Sequence, residues 1–66
     1  MNIKEYVLKH FLYDGQNVEI RRLEFYTKKQ ATEYITLNNC RYWSIYKKVP
    51  HHIEYTEIID STSKST

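Results

Sequence analysis

The residue types able to do nucleophilic or metal chemistry are few in this chain. Cys40 is the single cysteine, and His10, His51 and His52 are the three histidines. A thiol–imidazole nucleophile also needs an orienting third group and an oxyanion hole, and the sequence indicates neither. A metal site is not expected, because these residues lack a paired spacing such as Cys-x-x-Cys. We therefore expect an inert, partly buried thiol, no metal and no cofactor.

The carboxylates and the single glycine offer no stronger catalytic candidate. Five of the glutamates are spread evenly among lysines and arginines, which is typical of a solvated mixed surface rather than of an acid–base pair. One glycine cannot build a Gly-rich phosphate loop. We expect a protein that is not an enzyme. The five glutamates are Glu19, Glu24, Glu33, Glu54 and Glu57.

Length and composition limit the chain to one small domain. It has 66 residues and a mass of 8.1 kDa, with a net charge of +2. No apolar run approaches the ~20 residues that cross a bilayer, and no leader pattern is present, so we expect a soluble protein without membrane contact, in the cytoplasm of its host. Ile, Lys, Tyr and Asn, whose codons are AT-rich, supply 25 of the 66 residues, whereas Ala, Gly and Pro occur once each. This bias indicates the genome of a low-GC bacterium, its phages or its mobile elements.

Two strands are predicted in the first half of the chain. Residues 3–13 alternate so that both faces carry large apolar side chains, which is typical of a central strand. Asp14-Gly15 is a strong hairpin signal, and residues 18–27 form the return strand. The apolar face of this second strand changes at Arg21-Arg22, which predicts a β-bulge there.

The hydrophobic period then changes from two to 3.6 residues. Thr27 and Gln30 fit a capping box that opens a helix over residues 28–39, and Asn38-Asn39 is a left-handed stop. Strand character returns over residues 41–49, ends at Pro50, and resumes over residues 53–59.

The order of elements predicts an α+β fold. We expect a small antiparallel sheet of three to four strands with one helix packed on one face, in the order ββαβ or ββαββ. This domain spans residues 1–59. Residues 60–66 are rich in Ser and Thr, have no apolar anchor, and are predicted to form a disordered tail.

One short helix covers only one face of such a sheet, so the other face is a candidate contact surface. Tyrosine and tryptophan are enriched at protein interfaces because they combine a large area with few torsions and a polar tip. Basic residues nearby would add charge complementarity and speed association. A curled sheet with tyrosines that only fill gaps is the structural alternative. The predicted partner-binding residues are the anchors Tyr42, Trp43, Tyr46 and Tyr55 and the basic residues Arg21, Arg22, Lys47 and Lys48.

Three classes of partner fit this surface. A larger host protein is the first, and a second copy of the chain, bound through the open face or an edge strand, is the second. Nucleic acid is the third, because bases stack on aromatic side chains of a sheet face while basic residues follow the phosphates. It is the weaker prediction, since the acidic residues nearly cancel the basic ones and the Gly-Phe signature of RNA-recognition sheets is missing.

The segment from Glu24 to Ile35, followed by Tyr42 to Lys48, combines a strand, a Thr cap, a helix and an aromatic-rich strand. This arrangement resembles small proteins of phages and prophages of Gram-positive bacteria, a class that includes anti-CRISPR-like inhibitors of defence systems. The resemblance covers about half of the chain and carries no catalytic motif. It implies a phage-encoded protein that binds and inhibits a host protein, such as a nuclease or a defence complex, by steric occlusion.

Overall fold

A four-stranded antiparallel sheet and one helix make up the fold of the computed structural model, which describes residues 3–49 and 52–62. The predicted α+β class and the ββαββ order are confirmed. No helix within the described residues is long and apolar enough to cross a membrane. The elements are β1 (Tyr6–Asp14), β2 (Asn17–Phe25), α1 (Lys28–Leu37), β3 (Tyr42–Val49) and β4 (His52–Ser61).

The strands lie side by side in the order β2-β1-β3-β4. The helix therefore carries the chain from the β2 edge across β1 to β3, and β1 lies in the middle of the sheet as its two apolar faces predict. In the β1–β3 ladder Leu8 lies opposite Ile45, and Phe11 lies opposite Tyr42.

The Asp14-Gly15 turn joins β1 and β2 as predicted. Gly15 has φ +63°, and a Cβ added there would meet nothing within 4 Å. The requirement for glycine is therefore conformational rather than spatial. A left-handed residue at the first central position and not at the second is the pattern of a type II′ turn, whose twist matches the strands.

The β-bulge predicted at Arg21-Arg22 is wrong. The β1–β2 ladder keeps one register from Tyr6↔Phe25 to Asp14↔Asn17. The apolar side chains of β2 change face because α1 covers only one end of one face. Phe25 packs 5.8 Å from the ring of Tyr34 on the helix, whereas Val18 and Ile20 lie at the far end on the opposite face.

The helix starts where the sequence predicts and ends at Leu37, two residues before the predicted end, at the predicted Asn38-Asn39 stop. The Gln30 N–H donates to Thr27 Oγ1 over 3.2 Å, and the Thr27 N–H donates back to Gln30 Oε1 over 3.3 Å. At the other end Asn38 is the C-cap, and Asn39 has φ +49°. Asparagine tolerates this left-handed conformation better than most side chains do.

The core lies between α1 and the sheet. Leu8, Ala31 and Ile45 are fully buried there. Ala31 is the one buried residue of α1, and its small side chain lets the helix approach the sheet closely. The partly buried residues packed around this centre are Tyr6, Leu23, Phe25, Tyr34, Ile35 and Trp43.

The fourth strand is longer than predicted. It continues through Asp60 and Ser61, so the tail prediction is wrong at these two positions. Ser61 is buried, and its hydroxyl lies 3.2 Å from that of Ser44. The Thr62 N–H then donates to the Trp43 carbonyl over 3.0 Å. Hydrogen bonds therefore anchor this segment where apolar side chains are missing. Pro50 and residues 63–66 lie outside the described residues.

Removal of the Thr27 hydroxyl should destabilise the protein. The Thr27→Ala variant loses the acceptor for the Gln30 N–H, and we expect the free energy of unfolding to fall by about 1 kcal/mol in urea titrations. The Thr27→Ser variant keeps the hydroxyl and should retain nearly wild-type stability. Equal losses in both variants would contradict a capping role.

Candidate functional site

The two faces of the sheet differ in whether the helix covers them. The face that carries Leu8 and Ile45 packs against α1, and we call it the helix face. Side chains that alternate with these residues point to the other face, which we call the open face. The open face carries Val7, Lys9, Phe11, Tyr13, Val18, Ile20, Arg22, Glu24, Tyr42, Ser44, Tyr46 and Lys48.

One end of the open face is apolar and exposed. Phe11 lies directly opposite Ile20 on β2 and Tyr42 on β3, and Tyr13 lies opposite Val18. We call these five residues the open-face patch. Tyr13 is 63% exposed and Ile20 is 55% exposed. The rings of Tyr13 and Tyr42 meet edge to face with centroids 5.1 Å apart, so the patch is contiguous across three strands.

The other end of the open face is occupied by charges. Glu24 accepts from Lys48 Nζ over 3.0 Å and from Arg22 Nη1 over 2.7 Å. Because Lys48 is on β3 and Glu24 is on β2, their bridge passes over β1, where Val7 is 1% exposed. We call Arg22, Glu24 and Lys48 the charged cluster. It shields Val7 on a face that the helix does not reach.

The charged cluster stabilises the ionised form of its carboxylate. The hydrogen bond from Lys48, followed by that from Arg22, holds the pKa of Glu24 below its usual value of 4.5, against an opposing effect of desolvation. Two cations and one anion thus form a network in which the negative charge is central. Because the side chains of this network are partly exposed to solvent, the network contributes only modestly to the stability of the fold.

Other basic side chains lie over aromatic rings. Lys9 Nζ is 4.9 Å from the ring centroid of Tyr46, and the Arg41 guanidinium is 5.6 Å from that of Tyr42. These distances are within the range of cation–π attraction. The Lys9 ammonium group therefore lies over Tyr46, and the Arg41 guanidinium lies over Tyr42 of the open-face patch.

The structure distributes the predicted partner-binding residues over both faces. The open face holds Tyr42, Tyr46, Arg22 and Lys48, and only Tyr42 belongs to the open-face patch. The helix face holds Trp43, which packs on the core, together with Arg21 and Lys47. Lys47 lies over the ring of Tyr6 at 5.7 Å. The side chain of Tyr55 lies outside the described part of the chain.

Four residues of the open-face patch are missing from the sequence prediction. They are Phe11, Tyr13, Val18 and Ile20. The signal that identifies them is the hairpin itself, because a two-residue turn at Gly15 places Tyr13 opposite Val18 and Phe11 opposite Ile20. The predicted β-bulge gives a different register, because one extra residue would move Val18 and Ile20 to the other face of the sheet.

Cys40 follows the helix in a buried position. Its N–H donates to the Ile35 carbonyl over 3.0 Å, and burial raises the pKa of its thiol above the usual 9.0. The cause is desolvation. The thiol is therefore protonated at neutral pH. Among the described residues, no group of three or more His, Cys, Asp or Glu side chains could hold a metal ion.

His10 is a buried polar residue on the helix face. It is 8% exposed, and its Nδ1 has no hydrogen-bond partner within the described part of the chain. Arg21 and Trp43 are its cross-strand neighbours. A buried polar atom without a partner costs about 1–3 kcal/mol, so this imidazole lowers the stability of the fold.

The depressed pKa of Glu24 predicts a defined pH dependence of stability. The stabilisation is complete above the unfolded-state pKa near 4.5 and is lost as the pH falls through the lower folded-state value. The Glu24→Gln variant should therefore show a flatter fall of unfolding free energy on acidification from about pH 5 to pH 3. The Lys48→Met variant removes the strongest partner and should flatten the profile in the same direction. Profiles that match the wild type in both variants would contradict the charged cluster.

Replacement of His10 by an apolar side chain should stabilise the protein. In the His10→Leu variant no unpaired Nδ1 remains, and we expect the midpoint of urea unfolding to rise with an unchanged m value. His10→Asn, which leaves polar atoms in the same place, serves as the matched control and should not show this gain. A lower midpoint for His10→Leu would indicate that the imidazole stabilises the fold.

No residue of the open-face patch or of the charged cluster receives a role from similarity to a known protein. The role of each residue therefore follows from what its side chain can contact. No protein-family model, no curated protein and no solved structure matches this chain.

Proposed function

We propose that this chain is a non-enzymatic binding protein that docks on another protein through the open-face patch. The observation that carries the proposal is the exposure of Tyr13, Val18, Ile20 and Tyr42 side by side on a paired sheet. Contiguous exposed apolar side chains of this kind are typical of interaction sites.

The patch suits tight contact because its side chains are held in place. Tyr13 and Tyr42 contact each other, and Phe11 lies between Ile20 and Tyr42 in the ladder. Tyrosine has two side-chain torsions, so its immobilisation in an interface costs little entropy. The hydroxyl groups can also pair with polar atoms of the partner. These properties favour a protein surface as the target.

The distribution of charge supports a protein partner over a nucleic acid. Arg22 and Lys48 share Glu24, and Arg21 pairs with Glu19 over 3.2 Å. Phosphate binding would have to compete with these carboxylates. Lys47, in turn, faces the helix side of the sheet, away from the open-face patch. Nucleic-acid binding remains the alternative proposal, with Tyr42 and Tyr46 as stacking platforms.

Composition and resemblance support the proposed class of target. The AT-rich codon bias and the likeness to small phage proteins support a phage-encoded inhibitor of a protein in a low-GC bacterial host. A defence nuclease or its complex is the target we propose. Steric occlusion is the proposed mechanism, because a rigid sheet that covers a functional surface needs no chemistry of its own.

The test compares two charged substitutions at exposed apolar positions. Tyr13→Glu disrupts the open-face patch, whereas Leu37→Glu alters the 81% exposed end of the helix. The immobilised wild-type protein is used to isolate a stoichiometric partner from host lysate, and the purified pair is then studied by calorimetry. We expect Tyr13→Glu to weaken binding at least tenfold, as loss of an interface anchor does, and Leu37→Glu to bind like the wild type.

Two outcomes would contradict the proposal. Equal affinities for wild type and Tyr13→Glu would show that the patch is not the contact surface. Recovery of nucleic acid instead of a protein, with release as salt rises, would favour the alternative. Labelled single-stranded oligonucleotides measured by anisotropy at several salt concentrations distinguish direct nucleic-acid binding from a contaminant.

A further inference from the structure

The β2 strand is an open edge of the sheet with an unusually regular backbone. It pairs with β1 over nine residues in one continuous register, and no strand of the described chain lies on its other side. The other edge differs, because the β3–β4 ladder has register shifts at Ile45/Tyr46 and Lys48/Val49. Bulges discourage further strand pairing, whereas a regular edge permits it.

We propose that β2 pairs with β2 of a second copy, antiparallel, about a two-fold axis at Ile20. The two four-stranded sheets then form one continuous sheet. This inference does not rest on the proposed function, because it concerns the edge of the isolated protein rather than a target. Three properties of β2 select this partner and this register: backbone direction, charge and apolar continuity.

Backbone direction sets which residues can meet. Asp14↔Asn17 closes the two-residue turn, and hydrogen-bonded pairs alternate along an antiparallel ladder from that point. The free N–H and C=O groups at the edge therefore belong to Val18, Ile20, Arg22 and Glu24. A two-fold axis normal to the sheet at Ile20 brings Ile20 against its own copy, and Val18 against Arg22. Both pairs join residues whose backbone groups face the edge.

Charge then distinguishes this register from its neighbours. An axis at Glu19, Arg21 or Arg22 places identical charges directly opposite each other, which is destabilising. With the axis at Ile20, Glu19 of each copy lies opposite Arg21 of the other, on the helix face. The two side chains already attract each other within one strand at 3.2 Å. Charged residues usually protect an edge strand against pairing. In β2 they disfavour the adjacent registers by repulsion and favour the register with its axis at Ile20 by attraction.

Apolar continuity favours the same axis. Within one copy, Tyr42, Phe11 and Ile20 lie opposite one another in a row across three strands. With the axis at Ile20, this row continues into Ile20, Phe11 and Tyr42 of the second copy. Moving the axis to Arg21 would place Arg22 against Ile20 and interrupt the row. The 55% exposed side chain of Ile20 would thus gain an apolar neighbour across the dimer axis.

The test is a charge exchange between two variants of the full chain. Strand pairing at one edge buries less than the ~1,600 Å² of a standard interface, so we expect a dimer that dissociates on dilution. Sedimentation equilibrium over a range of protein concentrations measures this dissociation. Glu19→Arg and Arg21→Glu each create two like-charge contacts and should weaken the homodimer about tenfold. An equimolar mixture of these two variants restores both pairs and should dimerise like the wild type.

Matched controls keep the result specific to the edge. Glu33→Arg makes the same change of net charge as Glu19→Arg, but on the exposed helix. Alone it should leave dimerisation unchanged, and in a mixture with Arg21→Glu it should not restore the dimer. Ile20→Cys should form a disulfide-linked dimer under mild oxidation, because residues opposed on the axis have Cα atoms about 5.5 Å apart. Val18→Cys, which faces Arg22 of the second copy, should not.

The proposal fails if the wild-type protein sediments at 8.1 kDa up to the highest concentration reached. It also fails if the mixture of Glu19→Arg and Arg21→Glu stays monomeric, or if Glu33→Arg weakens the dimer as strongly. None of these measurements contains a target protein. A failure here therefore leaves the proposed binding function untouched, and a failure of target binding leaves the dimer untouched.

Discussion

The packing of one ten-residue helix on a four-stranded sheet is the constraint on which the other features of this protein depend. The helix is too short to stand alone, so it must dock. It does so through Ala31 onto Leu8 and Ile45, and the capping box at Thr27 fixes where it begins. A helix of this length covers one end of one face. Every remaining large side chain of the sheet has to be covered by another means or stay exposed.

The two ends of the open face meet this constraint differently. Over Val7 the cover is electrostatic: Lys48 reaches across β1 to Glu24, and its aliphatic stem covers the sheet while its ammonium group is paired. Around Phe11 and Ile20 the described residues form no comparable network, and apolar surface stays exposed. Charge therefore completes the fold at one end, and the other end is available for contact with a second molecule.

The sequence predicts what local interactions determine. The alternation in β1 and β3, the Gly15 turn, the Thr27 cap and the Asn39 stop each depend on a few neighbouring residues, and all are confirmed. The predictions fail where distant contacts decide. The apolar side chains of β2 change from one face to the other, which the sequence alone attributes to a β-bulge. The actual cause is tertiary, because α1 covers only one end of one face. Ser61 has no apolar signal, yet a hydroxyl contact with Ser44 holds it in the sheet. Trp43 suggests an exposed anchor by residue type, and only the strand order shows that it lies under the helix.

Ile20 connects the two proposals because it belongs to both the β2 edge and the open-face patch. If β2 pairs about this residue, the patches of two copies lie in one sheet and face the same direction. A target that contacts this surface then meets a two-fold symmetric site with twice the apolar area. Two equivalent contacts on one rigid sheet raise the effective concentration of the second contact once the first has formed. A small chain with a modest patch could reach high affinity in this way, without enlarging its own core.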